Sequence, residues 1–300
     1  MKAVWLVRSH QLLSRMRFWT AIVGYDSRDR SVSQRIYLIY VIVFFSLWGF
    51  AMLALIADPL ARVLPLAKGF SPVQVAVILT TAVLLADVLL RSLHYARRSP
   101  FNFSEEDAQL ICLTPVDRRK VAIAWLFGDW FPVAIPYWAG VVALSFACQQ
   151  LATPTGMVWL QLPVYILKGL RTISIVLPLQ LALMSFTYAF GALRLQRDRE
   201  FTSLQRIPLV VGLSLLLLAI FLPTSLNILL LPILFPLMAG FGEAKWIGAF
   251  ILVVLLAASS LLLLYLVTPQ LNLSRAAQES NFPLKFQNPG MQGRKADTDR

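Results

Sequence analysis

Uncharged apolar segments of about 20 residues recur along this chain, and each is long enough to cross a bilayer as an α-helix. The mean hydropathy is +0.70 and only 14% of the residues are charged, which excludes an ordinary soluble globular domain. The sequence therefore predicts an all-α polytopic membrane protein whose transmembrane domain covers residues 36–267. The six predicted spans are about 36–57, 73–93, 121–147, 172–193, 207–222 and 246–267.

Lysine and arginine are distributed unevenly between the connectors of this topology. Twenty-two of them lie in residues 1–35, 91–120, 194–206 and the segment from 268, and at most five lie on the opposite side. Cytoplasmic loops of membrane proteins carry the excess of Lys and Arg, so this ratio places both termini in the cytoplasm. An even number of crossings, such as six, is consistent with that placement.

Residues 207–242 form a run of 36 residues without a charge, which is too long for one crossing and too short for two. Pro223, Pro232 and Pro236 would interrupt a helix in its second half. One crossing followed by a re-entrant hairpin at 223–242 fits the length, the prolines and the even number of crossings. Irregular backbone at that depth needs protein or water around it, so we expect the hairpin to pack against other helices or border a pathway. The alternative is an apolar loop on the outer surface.

Both ends of the chain are more polar than its centre. Within the cytoplasmic segment 1–35, residues 9–23 place apolar side chains on one helical face and arginines on another. This pattern is typical of a helix lying in the membrane interface, although an ordinary cytoplasmic helix fits it as well. Residues 268–300 lose hydrophobicity and predict a largely disordered cytoplasmic tail.

The polar connector at 98–120, RSPFNFSEEDAQLICLTPVDRRK, contains two helix-start signals. Ser104 followed by Asp107 is typical of a capping box. Thr114 followed by Pro115 predicts the start of a second helix, which continues as the third span. The pattern indicates a short cytoplasmic helix held at a fixed angle to a transmembrane helix. Such a helix is suited to receive force from a partner, or it covers the cytoplasmic mouth of the bundle.

The string SPFNFSEEDAQLICLTPVDRRKVAIAW, with the interfacial helix, six spans and re-entrant hairpin, resembles the membrane (permease) subunits of type-2 ABC exporters of bacteria. In those permeases this element is similar to the coupling helix, which docks in a cleft of the ATP-hydrolysing subunit. The resemblance implies an ATPase-coupling set comprising Ser104, Glu105, Glu106, Asp107, Leu110, Leu113, Pro115, Arg118 and Arg119.

The same resemblance implies a permease subunit in a bacterial cytoplasmic (inner) membrane that exports an unidentified substrate. It also implies two protein partners, a separate ABC-type ATPase and a second permease copy or similar half that completes a dimer. The sequence contains no G-x-x-x-x-G-K-[ST] phosphate loop, so ATP and Mg would be bound by the partner and this chain is not expected to be an enzyme. We expect contact with membrane lipids and no nucleic-acid partner.

Charged residues within or next to the predicted spans are the candidates for a substrate pathway, because each is costly in lipid and tends to face protein or water. Asp87 is placed to pair with Arg91, four residues later on the same helix. Asp129 has no local basic partner, so we expect it to face protein or water. Lys168 and Arg171 either reach the outer interface or line an outer vestibule.

Other readings of the same residues stay open. An ATP-independent secondary transporter or channel would use Asp129 as its ion or proton site. A membrane scaffold without transport would have a tightly packed bundle and no polar cavity. No H-E-x-x-H or C-x-x-C spacing occurs in the sequence, so a metal site is not expected.

Overall fold

The computed structural model describes residues 22, 24–25, 31–67, 69–103, 117–152, 162–196, 231–242 and 245–280. In these residues the chain forms seven α-helices and two 3-10 helices, and no β-strand. The α-helices are α1 (Val32–Val63), α2 (Pro72–Tyr95), α3 (Arg118–Ala152), α4 (Leu162–Gln196), α5 (Leu231–Phe241), α6 (Trp246–Val267) and α7 (Leu273–Ser280). The 3-10 helices are Leu64–Leu66 and Thr268–Gln270.

The predicted all-α class is confirmed. Five helices, α1 to α4 and α6, are long and apolar enough to cross a membrane, and α5 is a shorter apolar helix. The protein therefore has the architecture of a membrane-spanning helical bundle.

The helix bounds follow the predicted spans closely in some places and depart from them in others. Helix α6 coincides with the predicted span 246–267, and α2 begins where Ser71 and Gln74 form a capping box. Helix α4 begins ten residues before the predicted span 172–193 and runs unbroken through Lys168 and Arg171. The predicted span 207–222 and the first part of the hairpin, residues 223–230, lie outside the described residues.

Contacts between helix ends show which residues lie together at each end of the bundle. At the connector end, which holds residues 96–103, 117–120, 194–196 and 267–280, the Gln196 side chain donates to the Val267 carbonyl. At the far end, the Trp246 indole donates to the Arg171 carbonyl over 3.2 Å. Helices α4 and α6 consequently run parallel.

Helix α5 lies inside the bundle and packs against α2, α4 and α6. Near its start Leu234 packs against Leu85, in the middle of α2. Near its end the Gly240 carbonyl lies 3.1 Å from the Thr172 hydroxyl at the far end. Leu237 between them is fully buried. Protein therefore covers much of this proline-containing helix, while its Met238 side chain stays exposed.

Helix α1 joins the bundle through its second half. Phe50, Leu53 and Ala57 belong to the core cluster or pack against it. The first half presents exposed apolar side chains, among them Ile39 and Leu47. A helix of this composition is stable with its side chains in hydrocarbon.

The segment after α6 packs against the bundle in residues 268–280. Leu271 and Ala276 are fully buried in the core cluster at the connector end. Residues 281–300, most of the predicted largely disordered tail at 268–300, lie outside the described residues, so the disorder of the tail stays a prediction. Within the described part, α7 is held because it buries one apolar face and pairs Glu279 with Arg194 of α4.

Candidate functional site

A polar cavity of about 560 Å³ opens at the connector end, between α2, α3, α7 and the segment 96–103. Asp87 on α2 and Asp129 on α3, predicted separately from the sequence, both line it. Its other polar lining residues are Arg91, His94, Tyr95, Arg98, Ser99, Asn102 and Glu279. The cavity therefore combines carboxylates, guanidinium groups, an imidazole and an amide within one space.

Asp87 and Arg91 form an ion pair along α2. Arg91 Nε donates to Asp87 Oδ2 over 2.8 Å, and both side chains are three-quarters or more buried. Their spacing of four residues places them on one helical face, as the sequence predicted. Tyr137 of α3 lies beside Asp87 and approaches it from the neighbouring helix.

Asp129 is held by a residue of α4. The Tyr188 hydroxyl donates a hydrogen bond to Asp129 Oδ2. The Tyr188 ring is fully buried and packs edge-on against Tyr95 and Phe101, with ring centroids 5.5 and 5.8 Å away. A carboxylate inside a predicted span thus has a protein partner in a polar cavity, as expected for a charge in a membrane.

Glu279 carries the third carboxylate of the cavity and comes from α7. It pairs with Arg194, whose side chain is only 1% exposed, and with Arg275 over 3.2 Å. The Arg194 guanidinium also lies 3.4 Å from the Arg97 carbonyl. Sequence reasoning missed this cluster because Arg194 and Glu279 are 85 positions apart. The four-residue spacing of Arg275 and Glu279, next to Ala276 and Ala277, was the available local signal.

The chain that leads into the predicted coupling helix is fastened to the core. Phe101 and Phe103 are buried, and the Trp125 indole donates to the Asn102 carbonyl over 3.0 Å. The Phe103 and Trp125 rings contact edge to face, with centroids 4.9 Å apart. Residues 101–103 are therefore bound to α3.

The chain that leaves the predicted coupling helix is fastened as well. Asp117 directly precedes α3 and accepts the Arg119 backbone N–H at 3.1 Å, which caps the helix. Arg118 donates to the Pro269 carbonyl over 3.2 Å. Arg119 donates to the Tyr265 hydroxyl over 3.0 Å and lies over the Tyr265 ring. The start of α3 is therefore tied to the end of α6.

Seven of the nine predicted coupling residues lie outside the described residues. These are Ser104, Glu105, Glu106, Asp107, Leu110, Leu113 and Pro115. The described pair, Arg118 and Arg119, binds the end of α6 and the 3-10 helix after it.

Lys168 and Arg171 lie near the far end and do not line the polar cavity. Arg171 lies 5.7 Å from the centre of the Trp246 ring, beside the hydrogen bond that joins α4 and α6. The 17 positions from Arg171 to Tyr188 correspond to roughly 26 Å along α4. The four predicted pathway residues therefore form two separate sites, with Asp87 and Asp129 in one and the basic pair in the other.

Comparisons with family models, curated proteins and solved structures find no match for this chain. In the part of the chain that the structure describes, no group of three or more His, Cys, Asp or Glu side chains could hold a metal ion. The paired carboxylates and arginines at the cavity can bind charged or polar groups through hydrogen bonds.

Proposed function

We propose that this chain is the permease subunit of an ATP-driven ABC-type exporter in a bacterial inner membrane. A separate ATPase subunit supplies the energy, and a second permease copy or similar half completes a dimer. The observation that carries the proposal is the fastening of the chain on both sides of segment 104–116, directly beside the polar cavity. Because both flanks are bound to the bundle, a displacement applied between them would pass into α3.

The proposed path of force begins at the Asn102 carbonyl, which is bonded to Trp125. Asp129 lies one helical turn after Trp125 on α3 and lines the cavity. On the other side of the segment, Arg119 links the start of α3 to Tyr265. Movement of segment 104–116 by a partner would shift α3 against α4 and α6, and so change the shape of the cavity.

The direction of α4 and α6 supports six crossings. Gln196 contacts Val267 at the connector end, whereas Trp246 contacts Arg171 at the far end. The chain therefore has to return across the bundle between Gln196 and Trp246. Together with five long apolar helices, this return supports an even number of crossings and two termini on the cytoplasmic side. The course of α5, from mid-depth to the far end, supports the re-entrant arrangement.

The partner ATPase is tested by affinity purification of the tagged full chain from its native membrane. We expect an ATP-hydrolysing subunit to co-purify, and charge reversal of Glu105, Glu106 and Asp107 to abolish its retention. Reversal of Asp297 and Asp299, two acidic residues of the predicted tail, is the matched control and should leave retention intact. Retention of the ATPase by the first variant would reject the coupling assignment.

The mechanical role of the fastening is tested separately in the purified complex. Trp125→Phe removes the hydrogen bond to Asn102 but keeps an aromatic ring in place. We expect the ATPase to remain bound while its stimulation by the permease falls. Trp138→Phe on the same helix is the control, because the Trp138 indole N–H has no partner among the described residues. Equal stimulation of the ATPase by both variants would show that the hydrogen bond between Trp125 and Asn102 transmits no force.

A second candidate function is ion-coupled transport without ATP, because two carboxylates on neighbouring helices share one cavity. This function predicts proton flux through the purified protein in liposomes under an imposed pH gradient. Asp129→Asn would abolish that flux. The cavity also weighs against a scaffold role, for which a bundle without a polar cavity was expected.

A further inference from the structure

An apolar groove of about 370 Å³ runs along the outside of α2 and α3. Buried Thr80 and Val141 form its base, and exposed Leu79 and Val83 form one rim. The Thr80 hydroxyl donates to the Ala76 carbonyl over 2.8 Å. Its hydrogen-bond donor is therefore already used, and it adds little polarity to the groove. A groove of this composition on the outer surface of a transmembrane pair suits a hydrocarbon chain.

The groove lies next to the polar cavity, on the same two helices. Tyr137 lines the groove and lies beside Asp87, which lines the cavity. Leu79 and Arg91 on α2 are about 18 Å apart along the helix axis. A molecule that fills both spaces must therefore have an apolar chain and a polar head.

Each of the three carboxylates that line the cavity has a partner within the protein. Asp87 pairs with Arg91, Glu279 pairs with Arg194, and Asp129 accepts a hydrogen bond from Tyr188.

Arg98 also lines the cavity, with its side chain exposed, and makes no ion pair within the described ranges. A guanidinium beside an imidazole and an amide, those of His94 and Asn102, matches the acceptor oxygens of a phosphate group.

We propose that the groove and the cavity together bind one phosphate-bearing membrane lipid, with an acyl chain between Leu79 and Leu144 and its headgroup at Arg98. The lipid enters from the leaflet at the connector end, because the headgroup residues lie there. Its role as cargo rests on the proposed exporter function, whereas the binding site itself does not.

The binding test uses the purified full chain in detergent micelles, without any ATPase. Fluorescent phosphatidylglycerol is the probe, and unlabelled phosphatidylglycerol, diacylglycerol and glycerol phosphate are the competitors. We expect phosphatidylglycerol to displace the probe at least about tenfold better than diacylglycerol, which lacks the phosphate, or glycerol phosphate, which lacks the chains. Equal displacement by diacylglycerol would reject headgroup recognition, and equal displacement by glycerol phosphate would reject the groove.

The groove is tested by filling it. A β-carbon at Gly140, which lines the groove, meets no atom within 4 Å, and neither does one at Gly248 on the exposed surface of α6. Gly140→Phe should weaken probe binding about tenfold or more by occupying the groove, while Gly248→Phe should leave it unchanged. Size-exclusion profiles of both variants check that they fold. Equal binding by the two variants would show that the probe sits elsewhere on the apolar surface.

The headgroup site is tested with a matched pair of arginines. Arg98→Gln should reduce the preference for phosphatidylglycerol over diacylglycerol about tenfold, and Arg97→Gln, whose side chain does not line the cavity, should preserve it. An unchanged preference in Arg98→Gln would overturn the headgroup assignment. If the lipid binds as expected but no ATPase co-purifies, the exporter proposal fails and the site stands. If the ATPase co-purifies but the protein does not prefer phosphatidylglycerol to diacylglycerol, the lipid site fails and the exporter proposal stands.

Discussion

Tyr188 of α4 donates a hydrogen bond to the carboxylate of Asp129 on α3, and this contact joins two long helices beside the polar cavity. The Tyr188 ring is fully buried between Tyr95 and Phe101. Its position is thus set by packing, so it presents its hydroxyl at a defined point. The contact makes a membrane-embedded carboxylate part of the bundle's structure as well as of its cavity.

Replacement of Tyr188 by Phe should destabilise the folded protein by about 1–2 kcal/mol, because the Asp129 carboxylate loses a donor inside the bundle. Thermal unfolding of the purified protein in detergent measures the effect. Tyr40→Phe is the control, since Tyr40 is exposed on α1. In the Tyr188→Phe background, Asp129→Asn should cost less than it does alone. Strictly additive effects would contradict a direct interaction between the two side chains.

Gly191 allows the segment before the coupling helix to approach α4 closely. A β-carbon at this position would lie 2.8 Å from Pro100 Cγ and 3.2 Å from Tyr95 Cβ. Gly191→Ala should therefore destabilise the protein by about 1–3 kcal/mol through overpacking. Gly49→Ala should instead stabilise it, by up to about 1 kcal/mol, because a β-carbon there meets no atom within 4 Å and alanine favours a helix. If Gly191→Ala and Gly49→Ala shift the melting temperature in the same direction, close packing at Gly191 is not the cause.

Two helices begin close to the starts of predicted spans. Helix α2 begins at Pro72, after the capping box of Ser71 and Gln74, and α6 begins at Trp246, directly after a lysine. The start of α4 was missed because Lys168 and Arg171 resemble a boundary in the sequence. A helix continues through such residues when they lie near its end and are supported there, as Arg171 is by Trp246.

The candidate site was predictable only where its contacts are local. The ion pair of Asp87 and Arg91 follows from a four-residue spacing, which sequence alone reveals. The partner of Asp129 is 59 positions away, and no periodicity connects it with Tyr188. Such partners are set by how the helices pack. The sequence could predict that Asp129 needs protein or water around it, but could not identify its partner.

Asp117 at the start of α3 provides a test of helix capping and of how stability depends on pH. The Lys120 ammonium lies 3.1 Å from Asp117 and lowers the pKa of that carboxyl below its ordinary value of 3.8, with help from the Arg119 backbone N–H. Asp117→Ala should cost about 0.5–2 kcal/mol of stability by removing the cap, whereas Asp117→Asn should retain most of it.

The charge of Asp117 contributes stability above its unfolded pKa, and this contribution is lost as the pH falls through the lowered folded value. The difference in melting temperature between the wild type and Asp117→Asn should therefore shrink below pH 3.8. A difference that grows on acidification would contradict the assigned direction.

The ion pair between Arg194 and Glu279 should hold α7 against the bundle. Glu279→Gln leaves the Arg194 guanidinium, 1% exposed, without its carboxylate, so it should destabilise the protein by about 3–5 kcal/mol. It should also speed tryptic cleavage after Arg275 in the released helix. The double variant Glu279→Leu with Arg194→Met should recover much of the stability, because an apolar pair leaves no buried charge. If Glu279→Gln changes neither melting nor cleavage, the apolar contacts of Leu271 and Ala276 suffice to hold the helix.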